Sequence, residues 1–350
     1  MKKVIRRIKE FHKENRFRHT CWKNDKWIEK KYHLPLLSKD ELLEVKRVWP
    51  CFKRINNNDL IYLRKYKQEN GFDPYFLCDY QYTDLLRKVN PIQGAWVFRN
   101  KAMYDVWFPQ LHTPKVYLKC INGVYYSCDC TVSREEAAKL LARCEEFVIK
   151  PSIDTGSGKG VKLVKMGDVV DKFSFTSNLI DVYGNDFVVE EVVKQHHEMK
   201  ALNPTSLNTC RITSMFIDGK FHHSAIFKIG KKGASIDNWN SAYLVGIDNE
   251  GKLRQYGYDS QLNKVTKTDN GIDLLGYRVY GFEKMVSFVE KYHKYYFPMI
   301  GIIGWDICID EMDGIRVIEV NVDFPGAVGE QYVSGTFFKD MRDIICNQYK

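Results

Sequence analysis

The residues with the clearest capacity for chemistry lie near the end of the sequence, on two predicted strands. Asp306 lies in the apolar run 304–309, and Glu319 and Asn321 lie in the run 318–322. Side chains alternate along a strand, so Glu319 and Asn321 share one face. A turn between the two runs would pair the strands and bring Asp306 beside them. Three oxygen donors on one surface suit a hard cation, and Mg²⁺ that also binds ATP phosphates fits such a site. The alternative is a solvated acidic face.

A glycine-rich segment lies in the middle of the chain. Residues 156–160, Gly-Ser-Gly-Lys-Gly, lie between two predicted strands. Glycines at alternate positions let backbone N–H groups approach an anion. The order strand–loop–strand excludes a Walker loop and a dinucleotide fingerprint, which need a helix after the loop. The segment therefore indicates a phosphate-binding loop, with a mobile hairpin as the alternative. Its members are Gly156, Ser157, Gly158, Lys159 and Gly160.

Lys150 and three glutamates are candidates for contacts with a nucleotide. Lys150 ends an apolar predicted strand. A half-buried ammonium needs an anionic partner, which a phosphate would supply, although a lysine that extends to solvent is the alternative. Glu190 and Glu191 end another apolar strand, and Glu198 follows Glu191 by seven residues. A linker after a strand can place its backbone against adenine, with Glu191 at the exocyclic amine and Glu198 on the ribose. Three glutamates also suit an ordinary acidic surface.

The composition is that of an ordinary globular protein with a basic excess. Of 350 residues, 44% are hydrophobic and 28% charged, and 53 Lys and Arg against 44 Asp and Glu give a net charge of +9. This excess favours anionic partners such as a nucleotide, an acidic membrane surface or nucleic acid. The ten cysteines form no CxxC pair, and no signal peptide or membrane-length apolar run is present. A cytoplasmic chain with reduced thiols is therefore expected.

Three regions differ in their predicted elements. Residues 1–109 are helix-rich, basic and aromatic, residues 110–192 combine strands and short helices, and residues 193–350 are mostly strands with a last helix at 337–348. The first helix, Met1–His12, has one apolar face surrounded by basic residues. It predicts either peripheral association with the anionic inner membrane face or docking on the body of the protein.

Local signals mark several boundaries of these elements. Ser38 and Glu41, and likewise Ser133 and Glu136, have the spacing of a capping box at the start of a helix. Asn122-Gly123 predicts the turn of a β-hairpin.

Short motifs occur along the chain in an order that is specific as a set. They are Asn100-Lys101, Phe147–Pro151, the 154–161 glycine loop, Val188–Val192, Asn208–Ile212, Asp237-Asn238, Gly304–Asp306 and Glu319–Asn321. In these motifs the chain resembles the ATP-grasp superfamily, and most closely its sugar-transfer-associated branch, found with polysaccharide biosynthesis genes. The resemblance implies an α+β ATP-grasp fold, in which two α+β lobes, residues 110–192 and 193–350, grip ATP. The helix-rich region 1–109 precedes them.

The resemblance also implies a role for each matching residue. Lys101 and Lys150 would contact the phosphates under the glycine loop, Glu190, Glu191 and Val192 would form the adenine hinge, and Glu198 would bind the ribose. Asp306, Glu319 and Asn321 would bind two Mg²⁺ ions, with Mn²⁺ as an alternative. Arg211 and Lys228 would lie near the transferred phosphoryl group, with Asp237-Asn238 and Pro325-Gly326 on the acceptor side. The chain departs from the family pattern at two places. Lys228 stands where an arginine is expected, and Ala242-Tyr243 stands where paired glycines are expected. Both departures concern the acceptor side and not the nucleotide site.

The activity implied by the resemblance is ligation of a carboxylate to an amine through an acyl-phosphate, on a cell-surface polysaccharide or its precursor. Arg211 would stabilise the transferred group, and no cysteine or histidine is needed as a nucleophile. One alternative on the same scaffold is a small-molecule kinase. Another is a non-catalytic basic module that binds a membrane surface or nucleic acid. No RNA-binding signature is present, which disfavours nucleic acid.

Overall fold

Two antiparallel sheets follow a helical N-terminal region. The computed structural model describes residues 2–52, 55–91, 95–153, 155–156, 158–323, 325–326 and 328–349, and of residues 2–15 and 96 it describes the backbone alone. The first sheet has six strands and the second has seven. This combination of helices and antiparallel strands confirms the predicted α+β class.

The elements of the described residues have the following bounds. The helices are α1 (Lys2–Tyr32), α2 (Lys39–Val48), α3 (Ile61–Asn70), α4 (Asp79–Val89), α5 (Tyr104–Trp107), α6 (Arg134–Ala142), α7 (Lys172–Tyr183), α8 (His197–Leu202), α9 (Phe282–Tyr296), α10 (Val328–Ser334) and α11 (Arg342–Asn347). The strands are β1 (Val116–Ile121), β2 (Val124–Ser127), β3 (Cys130–Val132), β4 (Glu146–Pro151), β5 (Lys162–Lys165), β6 (Phe187–Glu190), β7 (Thr209–Ile217), β8 (Lys220–Gly230), β9 (Ala242–Ile247), β10 (Leu253–Tyr258), β11 (Lys264–Val265), β12 (Ile302–Ile309) and β13 (Ile315–Asn321).

The N-terminal helices pack against the second sheet. The capping box predicted at the start of α2 is confirmed: the Ser38 hydroxyl accepts from the Glu41 N–H at 3.1 Å, and the Glu41 carboxylate accepts from the Ser38 N–H at 2.9 Å. Trp49, at the end of α2, is fully buried in a core that also contains Met215 of β7 and Ile302 of β12. The helical region therefore shares a core with the sheet.

Helix α1 extends well beyond the predicted segment Met1–His12. No glycine or proline interrupts residues 2–32, and Ile28 is fully buried. Arg18 donates to Asp59 at 3.0 Å, which ties α1 to the turn before α3. The second half of α1 is thus docked on the protein. The side chains of the predicted membrane-facing residues in the first half lie outside the described part of the chain.

The first sheet has the strand order β3-β2-β1-β6-β4-β5. The hairpin predicted at Asn122-Gly123 is confirmed, with positive φ at both residues. The capping box at Ser133 is also confirmed and begins α6. Phe147 and Ile149 of β4 point into a core beneath α6 and α7. Because side chains alternate, Lys150 of β4 points to the opposite face.

The second sheet has the strand order β11-β10-β9-β8-β7-β12-β13. Helix α9 covers one face, where Ile212, Phe227 and Trp305 lie in a single core with residues of α9. The neighbouring residues Arg211 and Asp306 therefore project from the other face. The alternation of side chains thus places the charged residues of β7, β8 and β12 on the face opposite α9.

The end of the chain differs from the predicted single helix at 337–348. Only the second part of the predicted helix forms, as α11, while residues 335–341 are not helical and the preceding helix α10 ends at Ser334. Gly335 has φ of +86° just after α10, the Thr336 hydroxyl donates to Asp73 at 2.5 Å, and Phe338 is fully buried in the core of the N-terminal helices. These tertiary contacts outweigh the local helical pattern. Strands β10 and β11 were also not predicted.

Gly304 allows the loop at Pro325 to approach β12, and we predict that Gly304→Ala destabilises the protein. A Cβ at this position would lie 2.7 Å from the Pro325 carbonyl oxygen and 3.0 Å from its Cα, both backbone atoms. Overpacking of this kind costs about 1–3 kcal/mol. Urea unfolding measures the loss. Gly167→Ala is the control, because no atom lies within 4 Å of its Cβ. Equal stabilities of the two variants would contradict the prediction.

Candidate active site

The three predicted metal ligands lie on one face at the edge of the second sheet. In the antiparallel pair β12–β13, Asp306 lies opposite Glu319, and Gly304 lies opposite Asn321. The turn that joins the strands is closed by Asp310, whose carboxylate accepts from the Gly314 N–H at 2.7 Å. The predicted antiparallel pairing through this turn is confirmed. It brings two carboxylates and an amide to one surface.

Asp306 is held by two cationic side chains from neighbouring strands. Arg211 lies directly opposite Asp306 on β7, and its Nε and Nη2 donate to the two carboxylate oxygens at 2.8 and 2.7 Å. Lys228 of β8 lies 2.9 Å from the same carboxylate. Burial alone would raise the pKa of Asp306, but the charges and hydrogen bonds of Arg211 and Lys228 outweigh it and hold that pKa well below its ordinary value. Asp306 is therefore ionised throughout the physiological range.

Two further lysines connect the first sheet to this surface. Lys101 lies 3.1 Å from Glu319. Lys150 of β4 lies 2.7 Å from Glu190 of β6 and donates to the Ile318 carbonyl at 3.5 Å. Burial raises the pKa of Glu190, although the charge of Lys150 opposes this. The lysine-bearing face of the first sheet therefore faces β13 of the second.

A cavity of about 1220 Å³ lies between the two sheets. The predicted site residues that line it are Lys101, Lys150, Gly156, Gly158, Lys159, Glu190, Glu191, Val192, Arg211, Lys228, Asp306, Glu319 and Asn321. The chain thus brings residues separated by as many as 220 positions in sequence to one open cavity between the sheets.

Three of the residues predicted to be catalytic or to bind the nucleotide or the metal are not among those that line the cavity. Ser157 lies outside the described residues. Gly160 lies between the lining residues Lys159 and Val161, and its carbonyl accepts from the Tyr183 hydroxyl at 2.8 Å. Glu198 is exposed in the first turn of α8, and its carbonyl accepts from Tyr277 at 2.6 Å.

The segment after β6 forms part of the cavity wall, whereas the carboxylate of Glu191 binds other residues of the protein. The Glu191 N–H donates to the Lys115 carbonyl at 2.9 Å, and the Glu191 carboxylate accepts from the Lys115 N–H at 3.0 Å. Arg316 of β13 lies 3.4 Å from the same carboxylate. Glu191 therefore fixes the position of the segment, and Val192 after it lines the cavity.

Glu330 is a site residue that the sequence analysis did not identify. It lies on α10, is 3% exposed, lines the cavity, and accepts a hydrogen bond from Thr213. Burial raises its pKa to about 8, although Arg211, 3.9 Å away, opposes the shift. Glu330 is therefore largely protonated at neutral pH. A glutamate in a short helix gives no sequence signal of this kind.

Asp237, named only as part of an acceptor-side motif, also belongs to the charged network. Its carboxylate accepts from the Thr209 N–H at 3.0 Å and lies 3.9 Å from Lys228. Burial raises the pKa of Asp237. Lys228, which stands where an arginine was expected, thus connects Asp237 with Asp306.

The donor set fits a magnesium ion. Carboxylate and amide oxygens are the ligands that this hard cation prefers, and Asp306, Glu319 and Asn321 supply them on one face. The Asn321 amide nitrogen points toward Asp306 at 3.4 Å, so its oxygen is turned away from that carboxylate. No softer donor is part of this set, which argues against a zinc site here.

Comparison with known proteins identifies the family. The family model described as sugar-transfer-associated ATP-grasp matches residues 80–345. The chain belongs to the sugar-transfer-associated ATP-grasp family. This membership confirms the predicted family and the ATP-grasp fold. No curated protein matches the chain.

Solved ATP-grasp structures are similar to this family member only at low identity. L-amino acid ligase from Bacillus licheniformis is 16% identical, with 86% of this chain and 62% of that chain covered and a TM-score of 0.44. D-alanyl-alanine synthetase A from Vibrio cholerae O1 biovar eltor is 14% identical, with 72% and 65% covered and a TM-score of 0.41. D-cycloserine synthetase DcsG is 12% identical, with 75% and 74% covered and a TM-score of 0.45. The chain thus spans 65% of the length of the synthetase A chain.

The pKa of Glu330 predicts a pH dependence of stability. The unfolded chain loses this proton near pH 4.5, whereas the folded protein keeps it to about pH 8. Stability is therefore lost as the pH rises from 4.5 to 8. Glu330→Gln lacks this loss, so the free energy of unfolding of this variant should rise relative to that of the wild type over this range, by on the order of 5 kcal/mol at full extent.

Urea unfolding at pH 5, 6, 7 and 8 measures this difference. Glu283→Gln is the control, because Glu283 is an exposed residue of α9. A difference between Glu330→Gln and the wild type that stays constant with pH, or that falls, would show that Glu330 is ionised in the fold.

Proposed function

We propose that the protein is an ATP- and Mg²⁺-dependent ligase that joins a carboxylate to an amine through an acyl-phosphate. One observation carries this proposal. Asp306, Glu319 and Asn321 face the same cavity as Lys101 and Lys150, so cation ligands and phosphate-binding cations surround one volume. Family membership supports carboxylate–amine ligation in general.

The nucleotide would lie between the two sheets. In this proposal Lys101 and Lys150 bind the phosphates, and residues 156–160 cover them. The buried Glu190, with Glu191 and Val192, holds the adenine, and the backbone after Glu191 is the part already fixed by Lys115 and Arg316. Glu198 is proposed for the ribose, which requires α8 to turn its first residues toward the cavity. Residues 110–192 and 193–350 then act as the two lobes.

Transfer of the γ-phosphoryl group begins the proposed reaction. An oxygen of the substrate carboxylate attacks the γ-phosphorus, the bond to the β-phosphate oxygen breaks, and ADP leaves. Arg211 has five N–H donors, of which two bind Asp306 and one binds the Pro325 carbonyl at 2.8 Å. Two N–H groups remain for the oxygens of the transferring phosphoryl group. Because Asp306 and Pro325 fix the guanidinium, it needs no reorganisation as charge develops.

The second step needs little from protein nucleophiles. The amine attacks the acyl carbon, inorganic phosphate leaves, and the amine gives up a proton. Lys228, held between Asp306 and Asp237, supplies positive charge beside this centre. Mg²⁺, bound by Asp306, Glu319 and Asn321, would neutralise the β- and γ-phosphates and clamp the attacking and leaving oxygens, with two ions proposed and Mn²⁺ as a substitute.

The identity and place of the substrates are finer proposals. The family description supports a sugar-linked acceptor, which we take to be a cell-surface polysaccharide or its precursor. No helix among the described residues has the length and apolarity needed to cross a membrane. We propose a cytoplasmic enzyme, with peripheral association to an anionic membrane through Met1–His12.

Removal of one carboxylate tests the metal site. Glu319→Ala should reduce ATP turnover by at least 100-fold, because a ligand of the cation and the partner of Lys101 are lost. The fold should persist, since Glu319 is partly exposed and does not belong to the core. The rate of ATP turnover is measured as ADP release in the presence of panels of carboxylates and amines. Circular dichroism confirms that the variant is folded. Glu290→Ala is the control, since it removes a lysine-paired glutamate from the surface of α9. Retained turnover in Glu319→Ala would refute the assignment.

Hydroxylamine in the same assay separates the ligase from the kinase. An acyl-phosphate gives a hydroxamate with hydroxylamine, whereas a phosphate ester does not. ADP release without a hydroxamate would identify a small-molecule kinase. If no member of the panels causes ADP release, the non-catalytic binding module is the hypothesis that agrees with the result.

A further inference from the structure

The cavity extends beyond the metal ligands to a second end with a different lining. Across the sheet, the face that carries Asp306 continues through Ile226 of β8 to Leu244 of β9. Tyr62, Asp79 and Trp239 line the cavity with these two residues. Tyr62, Ile226, Trp239 and Leu244 pack in one apolar cluster. We call these five residues the acceptor end of the cavity.

Asp79 is fixed in place by the contact between the N-terminal helices and α10. The Leu77 N–H donates to the Gln331 side-chain oxygen at 3.0 Å, and the Gln331 side-chain nitrogen donates to the Leu77 carbonyl at 2.7 Å. Both residues are buried. Asp79 follows Leu77 by two positions as the first residue of α4, and Glu330 precedes Gln331. The helical region is therefore built into this end of the cavity.

Asp79 and Asp25 form a negative centre without a matching cation. Among the residues that the structure describes, neither carboxylate has a hydrogen-bond or ion-pair partner. Burial raises the pKa of Asp79 to about 6, and burial together with the charge of Asp79 raises the pKa of Asp25 to about 7. The charges of both aspartates raise the pKa of Tyr62 and of Cys21, and neither of these residues supplies positive charge. A partly buried carboxylate on the wall of a cavity is stabilised by a cationic ligand.

We propose that Asp79, supported by Asp25, binds the acceptor substrate as a protonated amine and takes the proton that this ammonium must lose before its nitrogen attacks the acyl carbon. The inference rests on the proposed ligase function and deepens it, since it assigns the amine substrate to the end of the cavity that the N-terminal region builds. Trp239 and Tyr62 line the same end, and an aromatic ring can stabilise a cation that lies over its face. Ile226 and Leu244 contact the carbon skeleton. The ligand class is therefore an amine-bearing molecule with an apolar or ring-shaped body.

A purely local role for Asp79 is the competing explanation. An aspartate in the first turn of a helix stabilises the helix without any ligand, because its charge interacts favourably with the helix dipole. The chain contains a matched case. Asp40 lies in the first turn of α2, is exposed, and does not line the cavity. Asp40→Asn therefore reproduces the helix effect alone.

Binding of charged and neutral probes distinguishes the two roles. Calorimetry on the full chain, with Mg²⁺ and a non-hydrolysable ATP analogue, compares ethanolamine with ethylene glycol and glucosamine with N-acetylglucosamine. The wild type and Asp40→Asn should bind at least one amine ten times more tightly than its neutral counterpart. Asp79→Asn should reduce this preference to less than twofold, and Asp25→Asn should weaken it by at least threefold. Thermal unfolding verifies that each variant is folded.

Two results would overturn the proposal. One is the absence of any preference for the amine in both probe pairs with the wild type. The other is an unchanged preference in folded Asp79→Asn, or in Asp25→Asn if Asp79→Asn does not fold. Because binding needs no turnover, a preference that depends on Asp79 without any hydroxamate would refute the proposed reaction while leaving this site in place.

Discussion

The site depends on the burial of one carboxylate, Asp306, on the strand next to the edge of a seven-stranded sheet. A buried charge is costly unless it is paired and hydrogen-bonded. The antiparallel register supplies both conditions, because it places Arg211 directly opposite on β7 and brings Lys228 within 2.9 Å from β8. The same register places Glu319 opposite on β13. One set of strand pairings therefore stabilises the carboxylate, orients the arginine and assembles the donors for a cation.

Charge compensation extends this arrangement across the cavity. Lys101 pairs with Glu319 and Lys150 pairs with Glu190, so the basic residues that would meet phosphates are balanced by carboxylates of the protein. Glu330 adds no further negative charge at neutral pH because burial keeps its proton in place. Phosphate groups and a divalent cation can then enter together with little change in net charge. This is the electrostatic reason why a triphosphate with its cation suits the volume better than either component alone.

Much of this arrangement could be predicted because it depends on short-range rules. Strand alternation and a single turn place Asp306 and Glu319 on one face, and an apolar strand that ends in a lysine marks Lys150. Glu330 and Asp79 gave no signal, since their positions depend on contacts between segments about 250 residues apart, such as Leu77 with Gln331. Local pattern was misleading at residues 337–341, where the burial of Phe338 holds the chain out of a helix, whereas α11 lies within the predicted helix. The spacing between Glu191 and Glu198 in the sequence could not predict the direction of the Glu198 side chain, which is exposed.

A crystal structure of the protein with Mg²⁺ and a non-hydrolysable ATP analogue tests the central claim most directly. The account predicts the cation bound by Asp306, Glu319 and Asn321 at about 2.1 Å. It also predicts the triphosphate between that cation and the two lysines, Lys101 and Lys150. A nucleotide bound outside the cavity between the sheets, or a cation with no ligand from these three residues, would contradict it.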